Sequence, residues 1–147
     1  MQITTQIAIF LENLPGALSR VCDALTAARI NILAMAIGDS IDHAVVRMVV
    51  SDPRKAIFLL EEGGAMVVET EVLLIEGDNH PGSLARMAEA LAAAEINIEY
   101  LYAATPARAR RGLMVMRVAD PERAKGLLQP LSRRPVRGKS RRVAARR

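Results

Sequence analysis

The residues of this chain best placed to do chemistry form two copies of one short turn. Asn13-Leu14-Pro15-Gly16 and Asn79-His80-Pro81-Gly82 each lie between an apolar run of strand length and an amphipathic segment with helical spacing. Asn is a favoured helix N-cap and can accept from the free amides of a first turn, Pro has no amide to leave unpaired there, and Gly permits close approach to the backbone. Exposed N–H groups at the positive end of a helix suit a carboxylate. The Asn side chain and the carbonyls at a strand end can accept from an ammonium group. An α-amino acid carries both charges, so the turns read either as cradles for a small zwitterion or simply as two good helix starts.

Other residues offer less. Cys22 stands where Ala88 stands in the second copy of the pattern and is expected as a small core residue on a buried helix face, because a reactive thiol needs a partner. As the single cysteine it can make no internal disulfide. His43 is expected in a hairpin turn and His80 in the second Asn-x-Pro-Gly turn, where it can touch a ligand. Neither has a Cys, His or carboxylate at the spacing of a metal site, so no metal is expected. Tyr100 and Tyr102 project to one side of a strand where the first copy has Ala34 and Ala36; they either pack in a core or interface, or shape a second pocket unlike the first. The seven Met residues suit core packing. No Ser/His/Asp set, carboxylate pair, P-loop or dinucleotide fingerprint falls on suitable elements, so neither catalysis nor a cofactor is expected.

The elements that position the turns follow from a repeat. Asn13, Pro15, Gly16, Leu18, Arg20, Leu25, Ala27, Ala28, Asn31 and Ile32 recur 66 residues later as Asn79, Pro81, Gly82, Leu84, Arg86, Leu91, Ala93, Ala94, Asn97 and Ile98. Asp52-Pro53 and Ala56 recur at an offset of 68 as Asp120-Pro121 and Ala124, which places an insertion of two residues in a hairpin turn of the second copy. Within the first copy, Ile3 to Leu11 is a strand, and Leu18, Val21, Cys22 and Leu25 mark one helix face. Asn31 to Ile37 and Val45 to Val50 make a hairpin across Gly38-Asp39-Ser40. Asp52-Pro53 opens a second helix in which Ala56, Leu59 and Leu60 share a face, and Gly63-Gly64 ends it. Met66 to Ile75 closes the first copy and begins the second, which continues with a helix bearing Leu84, Met87, Ala88 and Leu91. A hairpin of Asn97 to Ala103 with Gly112 to Val118 follows, then a helix bearing Leu127, Leu128 and Leu131.

The order is βαββαβ, twice. Right-handed crossovers then give four-stranded antiparallel sheets with both helices on one face, an α+β, ferredoxin-like arrangement. Val46, Met48 and Val50, with Met114, Met116 and Val118, form the apolar face that the helices should cover, while Arg47 and Arg117 mark the other. The expected organisation is a first module over residues 1–70, a second over 71–132 and a basic tail over 133–147. The second module needs a fourth strand near Arg133 to Val143, where Pro135 is tolerated only at an edge or a strand start.

The segment Glu12-Asn13-Leu14-Pro15-Gly16-Ala17-Leu18, followed by an amphipathic helix and Ile30-Asn31-Ile32, resembles the ACT domain. The signature recurs at Asn79-His80-Pro81-Gly82-Ser83-Leu84 with Ile96-Asn97-Ile98, and the whole is similar to stand-alone tandem ACT proteins of bacteria that bind amino acids. The resemblance spans roughly residues 3 to 131. It implies a non-catalytic regulatory protein that senses an amino acid at module interfaces, where the strand-to-helix loop meets the second strand of a neighbouring module. The implied ligand residues are Asn13, Leu14, Pro15, Gly16, Ala17 and Leu18, and Asn79, His80, Pro81, Gly82, Ser83 and Leu84.

Composition bounds the alternatives. With 147 residues, 51% apolar and 24% charged, the chain can bury an ordinary globular core. It has no basic n-region at its start and no apolar run near the ~20 residues of a membrane span, so a cytoplasmic protein is expected. The net charge of +4 conceals a division, because eight of the 20 basic residues lie in 133–147 and all 16 acidic ones precede it, leaving the body at −4. The Arg-rich tail reads as a solvated extension or as a contact for nucleic acid or an acidic partner. Nucleic-acid association on a ferredoxin-like scaffold is therefore the rival to ligand sensing, although 3% aromatic residues and no Trp are poor material for base stacking. Exposed strand edges favour association, with a homodimer and a regulated protein partner as the expected company.

Overall fold

The computed structural model describes residues 1–39, 43–106 and 108–132. Ten elements follow in the order β1 (Gln2–Glu12), α1 (Ala17–Ala27), β2 (Ile32–Asp39), β3 (His43–Val50), α2 (Pro53–Glu62), β4 (Val67–Asp78), α3 (Ser83–Ala93), β5 (Ile98–Ala104), β6 (Arg111–Val118) and α4 (Pro121–Leu128). The strand and helix types match the sequence pattern in both copies. Helices α2 and α4 begin as Asp-Pro predicts: the Asp52 carboxylate accepts from the Lys55 amide at 3.1 Å and Asp120 from that of Arg123 at 3.0 Å, with Pro in the first turn. His43 is the first residue of β3.

All six strands form one antiparallel sheet in the order β2-β3-β1-β4-β6-β5. The first copy takes β2-β3-β1-β4, the four-strand order of a ferredoxin-like unit. The second takes β5-β6-β4, and β1 lies in its fourth place, because Gln2–Thr5 pair with Leu74–Glu71 while Gln6–Ile9 pair with Thr70–Val67. The copies thus share their two central strands. The repeat offset shows the symmetry: Ile3↔Leu73 and Ile7↔Glu69 exchange under a shift of 66, and Thr5↔Glu71 maps onto itself, marking a local two-fold axis. Residues 70 and 71, where the sequence divides the modules, are consecutive in β4. The expected fourth strand near Arg133 to Val143 falls outside the described residues; the place beside β4 is taken by β1.

Alternation along the strands sorts the core into two layers. Ile7, Ile9, Val46, Met48 and Val50 meet Val21, Leu25, Ala56 and Leu60 of α1 and α2. Leu73, Ile75, Met116 and Val118 meet Met87, Leu91, Ala124 and Leu128 of α3 and α4. All four helices therefore lie on one face, the one carrying the apolar residues of β3 and β6. Met114 packs against this layer from a half-buried position. Leu127 points out, and Cys22 is half-buried at the rim of α1 outside the core cluster, because Ala17, Val21 and Leu25 take the buried stripe.

Among the described residues the opposite face has no helix, yet Val49, Val72, Leu74 and Val115 are buried there with Tyr102 against them. Gln6 is also buried, and it is paired: its Nε2 donates to the Tyr100 hydroxyl at 2.7 Å, and the Tyr102 hydroxyl donates to its Oε1 at 3.0 Å. The Arg47 guanidinium stands 4.9 Å from the centre of the Tyr100 ring. In a flat sheet β5 would lie about 14 Å from β1, three strand spacings away. The reach of these side chains therefore requires a strongly coiled sheet that folds its helix-free face inward. The two tyrosines thus fill a core role, away from either turn.

Two outcomes test this face. Tyr100→Phe/Tyr102→Phe leaves the Gln6 amide buried without partners and is expected to cost about 1–3 kcal/mol, while adding Gln6→Leu to that pair recovers most of the loss; urea midpoints at constant slope measure both. Burial, with the Tyr100 neighbour reinforcing it and Arg47 opposing, pushes the Tyr102 phenol from 10.0 up to about 12. The native state therefore keeps a proton that the unfolded chain releases, so the contribution is complete below pH 10 and declines as pH rises toward 12. Stability of Tyr102→Phe should fall less than that of the parent across that window.

Candidate functional site

The two Asn-x-Pro-Gly segments fold as tight turns that feed directly into α1 and α3. The Leu14 carbonyl accepts from the Ala17 amide at 3.2 Å and the His80 carbonyl from the Ser83 amide at 3.0 Å. Gly16 at φ 86°, ψ −11° and Gly82 at φ 87°, ψ −5° hold the third turn position. This is the type II turn, with Pro second and a left-handed residue third, and the third place favours Gly for its backbone alone. A Cβ on Gly82 would meet nothing within 4 Å, so open space surrounds it.

The helix caps differ from expectation. Neither Asn13 nor Asn79 caps its helix; the glycines hold the cap position and supply no side-chain acceptor. Asn79 instead fastens the β5–β6 connection, its amide donating to the Arg110 carbonyl at 2.8 Å and its Nδ2 to that of Ala109 at 2.8 Å. The physical reason is the turn itself, which already orients the first helical amide inward and displaces the Asn by three residues from the cap. Without a side-chain cap, the amides of Leu18 and Ser19 at one turn, and of Leu84 and Ala85 at the other, have no partner among the described residues. The Arg20 and Arg86 amides start the helical ladders from the Gly16 and Gly82 carbonyls.

The turns part company in what lies behind them. Beside the second is a cavity of about 210 Å³ between the start of α3 and the ends of β4, β5 and β6. Its rim carries Asp78, Asn79, His80, Ser83 and Thr105, and its apolar lining includes Ile75, Leu84, Met87 and Met114, while the Leu113 side chain packs on the opposite face of the sheet. No residue of the first copy lines it. The Ser83 side chain is 91% buried, and its Oγ is shut from solvent with no hydrogen-bond partner. A buried hydroxyl in that condition is costly unless something arrives to pair with it.

Around the first turn the arrangement differs. Only Ala17 of its six candidates lines a cleft, a separate and wider one of about 500 Å³ between α1 and the Leu59–Ala65 stretch that ends α2. Asn13, Leu14, Pro15, Gly16 and Leu18 line neither space, and an Arg20 Nη lies 3.7 Å from where a Gly16 Cβ would sit. In the second turn Asn79, His80, Ser83 and Leu84 are brought together, while Pro81 and Gly82 shape the turn without lining the cavity. Asp78 was missed by sequence reasoning although Glu12 and Asp78 are both acidic, 66 residues apart. Gly77 was missed as well; it stands where the first copy has Leu11.

Among the described residues no group of three or more His, Cys, Asp and Glu is disposed to hold a metal, and no helix is long and apolar enough to cross a membrane.

The family model of an ACT domain pair matches residues 1–132. Among solved structures, protein BT0572 from Bacteroides thetaiotaomicron superposes with a TM-score of 0.80 at 32% identity, over 87% of this chain and 88% of its own. The ligand-free regulatory subunit of aspartate kinase from Thermus thermophilus superposes at 0.65 with 19% identity, over 89% and 97%. The regulatory subunit of aspartate kinase from Thermus flavus gives 0.61 with 22% identity, over 88% and 93%. At their identities the two Thermus structures establish the shared fold. No curated protein matches the chain.

The unpartnered hydroxyl gives a direct test of the site. Ser83→Ala, which installs the residue of the first copy, should stabilise the ligand-free protein by roughly 1 kcal/mol, raising the melting temperature by a few degrees. A calorimetric melt that falls or stays level would show that Ser83 is satisfied in solution.

Proposed function

The chain belongs to the ACT domain pair family, and from that premise we propose that it is a non-catalytic, cytoplasmic regulatory protein that binds an amino acid or a similar small zwitterion at the turn from β4 into α3. One observation carries the reading: the free Leu84 and Ala85 amides and the unpaired Ser83 hydroxyl stand at the start of α3, beside a cavity that Ser83 and Leu84 line. Free N–H groups at a helix start favour a carboxylate, and the Asp78 carboxylate on the same rim suits an ammonium group. A turn of the Ser83 side chain about χ1 toward the cavity gives its hydroxyl the ligand's oxygen as a partner. The first turn offers the same free amides, but its cleft is wider and Ala17 gives it no buried hydroxyl to pair, so in this reading its role is to start α1.

The fold shared with two regulatory subunits of aspartate kinase supports a regulatory role, in which a partner protein reads the ligand-bound state. A ligand can shift such an equilibrium only by its difference in affinity for the two states. The edge strands β2 and β5 each leave one side unpaired within the described residues, and Leu33 and Ile37 on β2 are exposed, which supports a homodimer joined along an edge. The rival role in nucleic-acid association rests on Arg133 to Arg147, which lie outside the described residues.

A thermal-shift screen of the full chain against the twenty amino acids tests the proposal. At least one should raise the melting temperature with concentration, approaching about 2.7 kcal/mol of added stability at a hundredfold excess over Kd, and Ser83→Ala should shrink that rise. A flat response to all twenty would end the reading.

A further inference from the structure

The cavity also says which amino acid. We propose that each chain takes one ligand molecule, an α-amino acid with an uncharged aliphatic side chain of about leucine or methionine size, seated entirely within the second copy. This rests on the zwitterion reading above and narrows it.

Chemistry of the walls comes first. Behind the polar rim, the side chains of Ile75, Leu84, Met87 and Met114 present only carbon and thioether sulfur. A charged or amide-bearing side chain pushed inside would lose its water and find no partner. Size comes second. An apolar cavity of about 150 Å³ accepts a benzene-sized group, so 210 Å³ holds a four-carbon side chain together with part of the α-carbon unit.

The one-site assignment follows from where the two copies differ. Gly77, which has no side chain, borders the space behind the second turn, whereas Leu11 stands at the matching position and lines the wider cleft of the first copy. A Cβ at Gly77 would point toward Met87 Cε at 3.6 Å and Ile75 Cγ2 at 3.8 Å, both of which line the cavity. Gly112 makes room on the β6 side for the Thr105 side chain on the rim, since a Cβ there would run into it. Ser83 against Ala17 is the third difference. Together these give the second copy an apolar hollow with a buried hydroxyl at its mouth, whereas the first copy has a wider cleft bordered by Glu12 and Arg20 with Ala17 in place of the serine.

Titration calorimetry on the full chain with L-leucine, L-methionine, glycine and L-lysine tests the inference. Leucine or methionine should bind at one molecule per chain and at least about tenfold more tightly than glycine, since several CH₂ groups leave water only for the former; lysine should bind no better than glycine. Gly77→Leu, which copies Leu11 at a position without positive φ, should weaken leucine binding at least tenfold. If that variant fails to fold, Ala103→Phe fills the hollow from its open side, because Ala103 is exposed at the cavity wall. Two molecules per chain, equal affinity for glycine, lysine and leucine, or unchanged leucine binding in a folded cavity-filled variant would overturn the inference and leave zwitterion binding standing. Binding of no amino acid at all would remove both.

Discussion

The pairing of β1 with β4 is the constraint on which the molecule depends. A ferredoxin-like unit needs four strands, and two separate units would present four sheet edges, each a row of unpaired amides and carbonyls open to aggregation. Joining the copies through eight register pairs from Gln2↔Leu74 to Ile9↔Val67 leaves two edges among the described residues and gives each copy the other's first strand as its fourth. The centre of the sheet is accordingly the most buried part of the chain: Gln6 to Ile9 and Val72 to Ile75 are buried on both faces. Neither copy is a closed unit, because β4 ends one and opens the other without a break.

Much of this was legible before any coordinates. The 66-residue repeat, the switch of period from two to 3.6, and the Asp-Pro and Gly-Gly boundaries depend on residues close in sequence, and such signals report local structure directly. The partner of β4 was not legible. A strand records in its alternation that both faces are covered, but not which strand lies beside it, and β1, the strand that pairs with β4, belongs to the other copy. The helix start shows the same limit at smaller scale. Asn-x-Pro-Gly contains a good capping residue and a good turn, and the type II geometry at Gly16 and Gly82 won, because φ near +86° is open to Gly at almost no cost and leaves Asn too far back to cap. The site was half legible: the turns stand out by their composition, but the cavity beside the second is bounded by residues from β4, α3, β5 and β6, and periodicity within one element is blind to how such elements meet.

The helix-free face shows how the symmetry of the repeat is broken without disturbing the backbone. Gln6 and Val72 are 66 residues apart and both sit at the centre of the sheet, one polar and one apolar. A buried amide is tolerable only if its donor and acceptor are both used, and the two hydroxyls from β5 supply that, one accepting and one donating. Where the second copy has these tyrosines the first has Ala34 and Ala36, which leave room for the coiled sheet to bring β5 across. The polar cluster thus ties the far edge of the second copy to the first strand of the chain.

This places the cavity and that cluster on the same strand. Ala103 lines the cavity from the helix side of β5, while Tyr100 and Tyr102 face the other way and hold Gln6. Asn79 pins the loop at the end of β5 to the turn that starts α3, so the rim is connected to that strand by hydrogen bonds as well as by packing. A molecule entering the cavity therefore presses on an element whose opposite face is anchored 94 and 96 residues away in sequence, at Gln6. Close-packed interiors pass on such displacements instead of absorbing them. An effect of a ligand on the β1 side of the sheet can run through β4, which pairs with β1 directly, and through β5 to Gln6; along the second route its strength is bounded by how differently the ligand binds when the Tyr–Gln cluster is made and when it is broken.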